Sequence, residues 1–141
     1  MTFPLNGLLR VRGVQERVAA EQLSRASAER AQAEAAAQQA ATSLADVSSV
    51  IGDAPTLLAM AAARAAGRSA LSDLHALTEL KRAEEAQARS AHVDARRELK
   101  GLERLETAHR TQEAKDQIDS EQTALDEIAV ARAARREGSA A

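Results

Sequence analysis

The longest uninterrupted stretch of helix-favouring sequence in the chain runs from Thr56 to Glu137 and contains no proline. Ala, Leu, Glu, Gln, Arg and Lys dominate it, and these residues lose little side-chain freedom when they enter a helix. A single helix of that length would extend for about 120 Å, at about 1.5 Å per residue. A compact domain of 141 residues cannot bury such a helix. The rest of the chain is therefore expected to pack along it.

The composition favours long helices over a globular core. Alanine accounts for 35 of the 141 residues, and Phe3 is the single aromatic residue. A globular core needs large side chains to offset the entropy of ordering the chain, whereas alanine-rich helices can approach closely along a narrow seam. Charges of both signs are interspersed, with a formal net charge of −2. This balance favours helices over a disordered chain and gives no indication of nucleic-acid binding.

Several protein classes are excluded by simple features of the sequence. The chain contains no cysteine, so it has no disulfides and no thiolate metal ligands, which is typical of a cytosolic protein. Its longest apolar run, from Leu57 to Ala63, is far shorter than the roughly 20 residues that a membrane helix requires. The N-terminus lacks the apolar core of a signal peptide. We therefore expect a soluble protein with no transmembrane segment.

The sequence Gly52-Asp53-Ala54-Pro55 divides the chain into two predicted helices. Glycine can close a helix in the left-handed conformation, proline is favoured in a first turn, and Asp53 is the better cap for the second helix. The prediction is a single all-α domain over residues 1–141, an antiparallel coiled-coil hairpin. Its helices cover about 8–50 and about 56–136, its turn covers 51–55, and the C-terminal helix is the longer. A weaker break at Gly67 is an alternative tip.

Apolar residues on the first predicted helix follow two stripes. One has the alternating three- and four-residue steps of a coiled-coil seam, with Arg30 as its polar member. Its members are Leu23, Ala26, Arg30, Ala33, Ala37, Ala40, Leu44, Val47 and Ile51. An earlier stripe consists of Leu8, Val11, Val14 and Val18. The two differ in phase, which predicts a slip near residues 18–23.

Large apolar residues on the second predicted helix cluster in three groups. They are Leu57, Leu58 and Met60; Leu71, Leu74, Leu77 and Leu80; and Leu99, Leu102 and Leu105. Between the last two groups the seam is expected to pass through Ala88, Ala91 and Ala95. With the tip near residue 53, Leu44 is expected to approach Leu58 or Met60, and Leu8 is expected to face Leu99.

In this register, residues after about 105 have no partner within the chain. This overhang carries an apolar stripe at heptad-like spacing, followed by a basic cluster. An exposed apolar stripe usually marks an interface. The predicted partner-binding residues are therefore Ile118, Leu125, Ile128, Arg132, Arg135 and Arg136. The cluster also complements the negative end of the helix dipole, which is a sufficient structural reason for it.

No pattern of residues indicates catalysis or a cofactor. Phosphate-binding loops, nucleophile elbows and zinc-ligand spacings are absent from the sequence. Glu106 and His109 match half of a di-iron helical motif, which needs a second copy that the sequence lacks. Further basic clusters, at Arg10/Arg12 and at Arg96/Arg97/Lys100, are typical of solvated helix faces. We expect no enzyme activity, no metal and no cofactor.

Two sets of residues, one at each end of the sequence, form a recognisable combination. The N-terminal set is Leu8-Leu9-Arg10-Val11-Arg12, followed by Glu16 and an Ala/Gln/Glu-rich helix. The C-terminal set is Leu102-Glu103-Arg104-Leu105, then Arg110, then Glu121-Gln122-x-x-Leu125-Asp126-Glu127-x-Ala129. With these residues the sequence resembles the FliJ family of small flagellar export proteins. The order of the C-terminal elements is the most specific feature of the resemblance. Members often have aromatic residues near the tip, where this chain has Leu57, Leu58 and Met60, so no gate-docking residue is transferred.

The resemblance implies an antiparallel coiled coil similar to the central stalk of rotary ATPases. It also implies a component of the flagellar type III export apparatus, in the cytoplasm and peripherally at the cytoplasmic face of the membrane. The implied partners are a ring-shaped export ATPase of the FliI type, an export gate protein of the FlhA type and export chaperones. We expect a monomer or weak self-association. The alternatives are a stalk protein of a virulence secretion system, a coiled-coil scaffold unrelated to secretion and, less favoured by its alanine-rich face, a helix on a lipid surface.

Overall fold

The computed structural model describes residues 2–47 and 52–140 and is an all-α helical hairpin. Helix α1 comprises Asn6–Asp46 and helix α2 comprises Ala54–Ser139. The sequence prediction was 8–50 for the first helix and 56–136 for the second. The C-terminal end of the first predicted range, and Ile51 in the predicted turn, lie outside the described residues. Gly67 is inside α2, so the alternative tip at that glycine is wrong.

The chain divides into two compact units. The first is Val14–Arg96, and the second combines Met1–Gly13 with Arg97–Ala141. In the second unit, the guanidinium of Arg12 is paired with the carboxylate of Glu98. The rings of Phe3 and His109 meet edge to face, with their centroids 5.5 Å apart. Within the described residues, neither helix has a stretch that is long and apolar enough to cross a membrane.

The buried side of α1 follows one continuous seam. One series of its buried and half-buried positions recurs at alternating steps of three and four, which is the spacing of a coiled-coil interface. The members of this series are Leu9, Arg12, Glu16, Ala19, Leu23, Ala26, Arg30, Ala33, Ala37, Ala40, Leu44 and Val47. This confirms the predicted members of the seam from Leu23 to Val47. The spacing continues unchanged through residues 18–23, so the predicted phase slip is wrong.

The matching seam of α2 is also a strict heptad series. Its buried and half-buried members are Met60, Arg64, Gly67, Leu71, Leu74, Thr78, Lys81, Glu85, Ala88, His92, Ala95, Leu99, Leu102, Glu106, His109 and Glu113. Half of this seam is polar or charged. The buried part of the described structure is correspondingly small and consists of Ala19, Ala33, Ala37, Thr78 and Glu85. The buried hydroxyl of Thr78 donates a hydrogen bond to the carbonyl of Leu74.

Several apolar residues that the sequence placed in the seams are exposed. They are Leu8, Val11, Val14 and Val18 on α1, and Leu77, Leu80, Ala91 and Leu105 on α2. All except Ala91 and Val18 belong to runs of consecutive three-residue steps. A three-residue step falls short of a full helical turn by about 60°, so successive members of such a run rotate away from the interface. At position 91, the heptad series passes through the neighbouring His92 instead.

The register between the helices differs from the predicted one. The side chain of Leu44 lies against Gly67, where Cδ1 would be 2.9 Å from a Cβ atom built on the glycine. Gly67 is seven positions beyond Met60, so the expected approach of Leu44 to Leu58 or Met60 is wrong. Glycine at position 67 allows the leucine to approach the backbone of α2 closely. Gly67 is therefore a contact point of the hairpin and not a break in the helix.

The start of α2 has the predicted cap. Oδ1 of Asp53 accepts a hydrogen bond of 3.2 Å from the backbone N–H of Thr56 and another from its hydroxyl. These bonds, that of the hydroxyl first, hold the pKa of Asp53 below its usual range. Gly52 does not have the left-handed conformation expected for it. A Cβ atom there would lie 2.8 Å from Cγ2 of Thr56, so glycine leaves room for the threonine that donates to the cap.

Candidate functional site

A cluster of ion pairs interrupts the alanine seam of the unit Val14–Arg96. Nε of Arg30 on α1 lies 2.5 Å from Oε2 of Glu85 on α2. Glu85 is only 9% exposed, and its other carboxylate oxygen accepts a hydrogen bond of 3.1 Å from Arg89. A buried carboxylate without a cation would be strongly destabilising. Arg30, the single polar member of the predicted seam, is thus explained by its partner Glu85.

The cluster also includes a second carboxylate, that of Glu34, which is shared between two arginines. Glu34 accepts hydrogen bonds from Arg82 on the opposite helix, at 3.1 Å, and from Arg30 on its own helix, at 2.7 Å. These two bonds, that of Arg82 first, hold the pKa of Glu34 below its usual range. Arg82 also donates to Glu79. Each of these arginines therefore joins two carboxylates.

A third cross-helix pair lies at Lys81. Its ammonium donates hydrogen bonds of 2.8 Å to Glu29 on α1 and to Glu84 on α2. The bond from Lys81 lowers the pKa of Glu29, and both carboxylates raise the pKa of the lysine. These pairs have specific partners at specific positions, whereas alanines could slide past one another. The cluster accordingly fixes the register of the hairpin, which is a structural role.

The histidines are engaged within the hairpin or exposed. Nε2 of His92 lies 3.0 Å from Oε1 of Glu16 on α1. His109 contacts Phe3 and lies 3.6 Å from a carboxylate oxygen of Glu113, while Glu106 accepts a hydrogen bond from Arg110. Residues 2–47 and 52–140 contain no group of three or more metal-binding side chains. In the described part of the chain, Glu106 and His109 are thus engaged in pairwise contacts.

The C-terminal part of α2 exposes large apolar side chains. From Ala114 to Ser139, every residue of the helix is exposed. Ile118 is 62% exposed, Leu125 is 65% exposed and Ile128 is 49% exposed. Arg132, Arg135 and Arg136 are exposed as well. These are the six residues that the sequence predicted as a partner surface, and they are called the C-terminal face below.

The C-terminal face is centred roughly 100° around α2 from the last half-buried seam position. At about 100° per residue, Ile118 and Leu125 lie about 140° and 120° around the helix from Glu113, the last half-buried seam position. By the same count Arg132 and Arg136 lie about 100° and 140° from Glu113, whereas Ile128 and Arg135 lie about 60° and 40° from it. The first four positions that continue the seam are polar, namely Asp116, Ser120, Thr123 and Glu127, and the next two are Val130 and Ala134. The apolar side of α2 therefore changes after Glu113, and the C-terminal face is a separate surface.

Some residues of these surfaces were missed by the sequence reasoning. Glu85, Lys81 and Thr78 occupy seam positions, but a search for apolar periodicity passes over them. Spacing could have revealed them, because alternating steps of four and three residues from Leu74 to Ala88 pass through these three positions. Glu121 lies on the C-terminal face, between Ile118 and Leu125, and was passed over for the same reason. Val130 is also 69% exposed, but it lies on the side of α2 that continues the seam.

Comparison with known proteins yields one family. The model of the family described as "Flagellar FliJ protein" matches residues 1–138, which is nearly the whole chain. Neither the curated proteins nor the solved structures contain a match to this chain. The matched residues include the motifs at both ends of the sequence. The chain belongs to the FliJ family, and it is a component of the flagellar protein export apparatus.

Proposed function

We propose that the chain acts as a stalk that binds the ring-shaped export ATPase through the C-terminal face. The observation that carries this proposal is the exposure of Ile118, Leu125 and Ile128 on one side of a helix. Isolated helices draw most of their stability from packing of an apolar face. Exposed apolar stripes on soluble proteins usually mark interfaces. A ring partner would cover this stripe and stabilise the helix.

Three arginines would add charged contacts to the proposed interface and set the orientation of binding. Arg132, Arg135 and Arg136 follow the apolar stripe on the same side of α2. We expect them to meet acidic loops of the ATPase ring, because guanidinium groups bind carboxylates in a fixed, two-pronged geometry. Such contacts would set the orientation and the association rate, while the apolar stripe would supply most of the affinity.

We propose a role without catalysis for the chain itself. The sequence contains no glycine-rich loop that could hold a nucleotide phosphate. The purified chain should therefore hydrolyse no nucleotide, but it should accelerate the partner ATPase or promote assembly of its ring. Turnover by the chain alone, at a rate that follows its concentration through purification, would contradict this role.

The proposed function also includes escort of export chaperones to the export gate, at the cytoplasmic face of the membrane. This part rests on the family, and no described residue is assigned to it. Co-purification of an export chaperone with the chain is the expected result. A chain that binds the ATPase but none of the export chaperones would restrict the function to the stalk.

The stalk is tested with two matched double variants on opposite sides of α2. Leu125→Asp/Ile128→Asp places two carboxylates in the C-terminal face, and Val130→Asp/Ala134→Asp places two on the side that continues the seam. All four positions are exposed, so both variants should retain the hairpin. The first variant should lose binding in a pull-down with the ATPase, and the second should retain it. Full binding by the first variant would reject the C-terminal face as the docking surface.

A further inference from the structure

The C-terminal part of α2 has segregated charges in addition to its apolar stripe. From Asp116 to Ala131 the sequence contains five carboxylates and no lysine or arginine. Three arginines follow within the next five residues. The side chains from Ala114 to Ser139 are all exposed in the structure. The segment therefore presents an acidic half and a basic half along one exposed helix.

The two halves also meet on the side that bears the apolar stripe. The heptad positions there are Ile118, Glu121, Leu125, Ile128, Arg132 and Arg135. Glu121 lies about 20° from Arg132 around the helix axis, at about 100° per residue. Leu125 and Ile128 are thus flanked by the carboxylate of Glu121 on the N-terminal side and by the guanidinium of Arg132 on the C-terminal side.

We propose that a second copy of this chain covers the stripe, with the two C-terminal segments antiparallel. Reversing the direction of one copy places Glu121 opposite Arg132 of the other, and this pair occurs twice by symmetry. The same register places Leu125 opposite Ile128 twice, between the two ion pairs. Ile118 then lies opposite Arg135, whose methylene groups can cover an apolar side chain.

Charge complementarity selects this arrangement over a parallel one. In a parallel pair, Glu121 would face Glu121, and each arginine would face its own copy, so like charges would meet along the interface. Like charges at facing heptad positions are destabilising, and opposite charges set partner and orientation. Only three large apolar residues contribute from each copy, so the pair is weak and reversible. It covers the face assigned above to the ATPase, so the two interactions are mutually exclusive.

The test is a charge exchange measured by sedimentation of the full chain, without the ATPase. Wild-type protein should dimerise as its concentration rises from about 1 μM to about 1 mM, and high salt should weaken the dimer. Glu121→Arg and Arg132→Glu should each weaken dimerisation about tenfold, because like charges would then face each other. The double variant Glu121→Arg/Arg132→Glu should restore it, since the two pairs are re-formed with exchanged signs. Arg104→Glu, on an exposed part of α2 outside the segment, is the matched control.

Each outcome of this experiment decides the proposal. Restoration by the double variant supports the antiparallel register, because in a parallel pair the exchanged residues would still face their own copies. A wild-type chain that stays monomeric up to about 1 mM would overturn the proposal. A dimer that is insensitive to both single variants would mean either a parallel pair or an interface elsewhere, and both would overturn the proposal. Since the readout contains no ATPase, failure of the stalk proposal leaves this result unaffected.

A spin label provides an independent check of direction. The chain has no cysteine, so Thr111→Cys gives a single labelling site on exposed helix. In the proposed dimer the two labels should be separated by roughly 45 Å, from the helical rise over the intervening residues. Labels within about 20 Å of each other would indicate parallel segments and would reject the antiparallel register.

Discussion

Arg30 on α1 and Glu85 on α2 form an ion pair with 2.5 Å between Nε and Oε2, in the middle of a seam otherwise built largely from alanine on the α1 side. Small side chains allow close approach of the helices but provide few features that distinguish one register from another. The pair is joined to Glu34 and Arg89, so a shift of one helix would break several bonds together. It therefore aligns Leu44 with Gly67 further along the hairpin.

Removal of one partner of this pair is expected to destabilise the hairpin more than removal of both. Arg30→Leu leaves the buried carboxylate of Glu85 without its cross-helix cation and should lower the melting temperature. Arg30→Leu/Glu85→Leu should recover that loss or exceed the wild type, because apolar residues can replace a buried ion pair. Thermal unfolding monitored by circular dichroism measures both. Additive losses in the double variant would show that the two side chains are not coupled.

Acid is expected to weaken the hairpin through Glu29 and Glu34. Their partners Lys81 and Arg82, respectively, lower the pKa of these carboxyls in the folded state. A lowered folded-state pKa contributes stability that is present above the ordinary glutamate value of about 4.3 and lost as the pH falls further. The melting temperature should therefore decrease between about pH 5 and pH 3. Glu29→Gln/Glu34→Gln should flatten this decrease, whereas the exposed control Glu127→Gln should not; equal slopes in all three proteins would contradict the assignment.

The two neighbouring leucines Leu102 and Leu105 provide a direct test of the heptad seam. Leu102 is half-buried and Leu105 is 54% exposed. Leu102→Ala should reduce the free energy of unfolding by about 1–2 kcal/mol, which is below the cost at a fully buried site. Leu105→Ala should change it by less than about 0.5 kcal/mol. The reverse order in denaturant unfolding would mean that the seam follows three-residue steps after all.

Two glycines inside α2 are expected to respond differently to alanine. A Cβ atom at Gly101 would meet no other atom within 4 Å, so Gly101→Ala should stabilise the helix by about 0.5–1 kcal/mol. At Gly67 the same change would displace the end of the Leu44 side chain, and the gain should be smaller. Denaturant unfolding of the two variants gives the two changes in the free energy of unfolding to be compared. An equal gain at both positions would place Leu44 away from Gly67.

Much of the hairpin could be predicted from sequence because alternating three- and four-residue steps are specific to coiled coils. The α1 seam from Leu23 to Val47 was visible in this way, as was the cap at Asp53. The first turns of α1 were not, since the run from Leu8 to Val14 has apolar residues but the wrong spacing. The register was missed because it is set by Gly67 and by ion pairs between charged side chains. Apolar periodicity carries no information about either.

The C-terminal face was recognisable for the opposite reason. Residues from Ala114 to Ser139 are all exposed, so apolar residues at regular spacing there need another explanation than packing within the hairpin. Sequence alone could not show that this face is rotated around α2 from the seam, because that comparison requires the seam positions up to Glu113. A search for apolar residues also passes over Glu121, which belongs to this side of α2 by its position around the helix.

Hydrogen exchange on the complex with the export ATPase tests the central claim most directly. In the free chain, at a concentration too low for self-association, backbone amides from Ala114 to Arg136 should exchange fast, because that part of α2 has no packing partner. Addition of the ATPase should protect peptides that contain Ile118, Leu125 and Ile128, and it should leave peptides between Leu71 and Ala95 unchanged. A complex that forms without added protection from Ala114 to Arg136 would contradict docking through the C-terminal face.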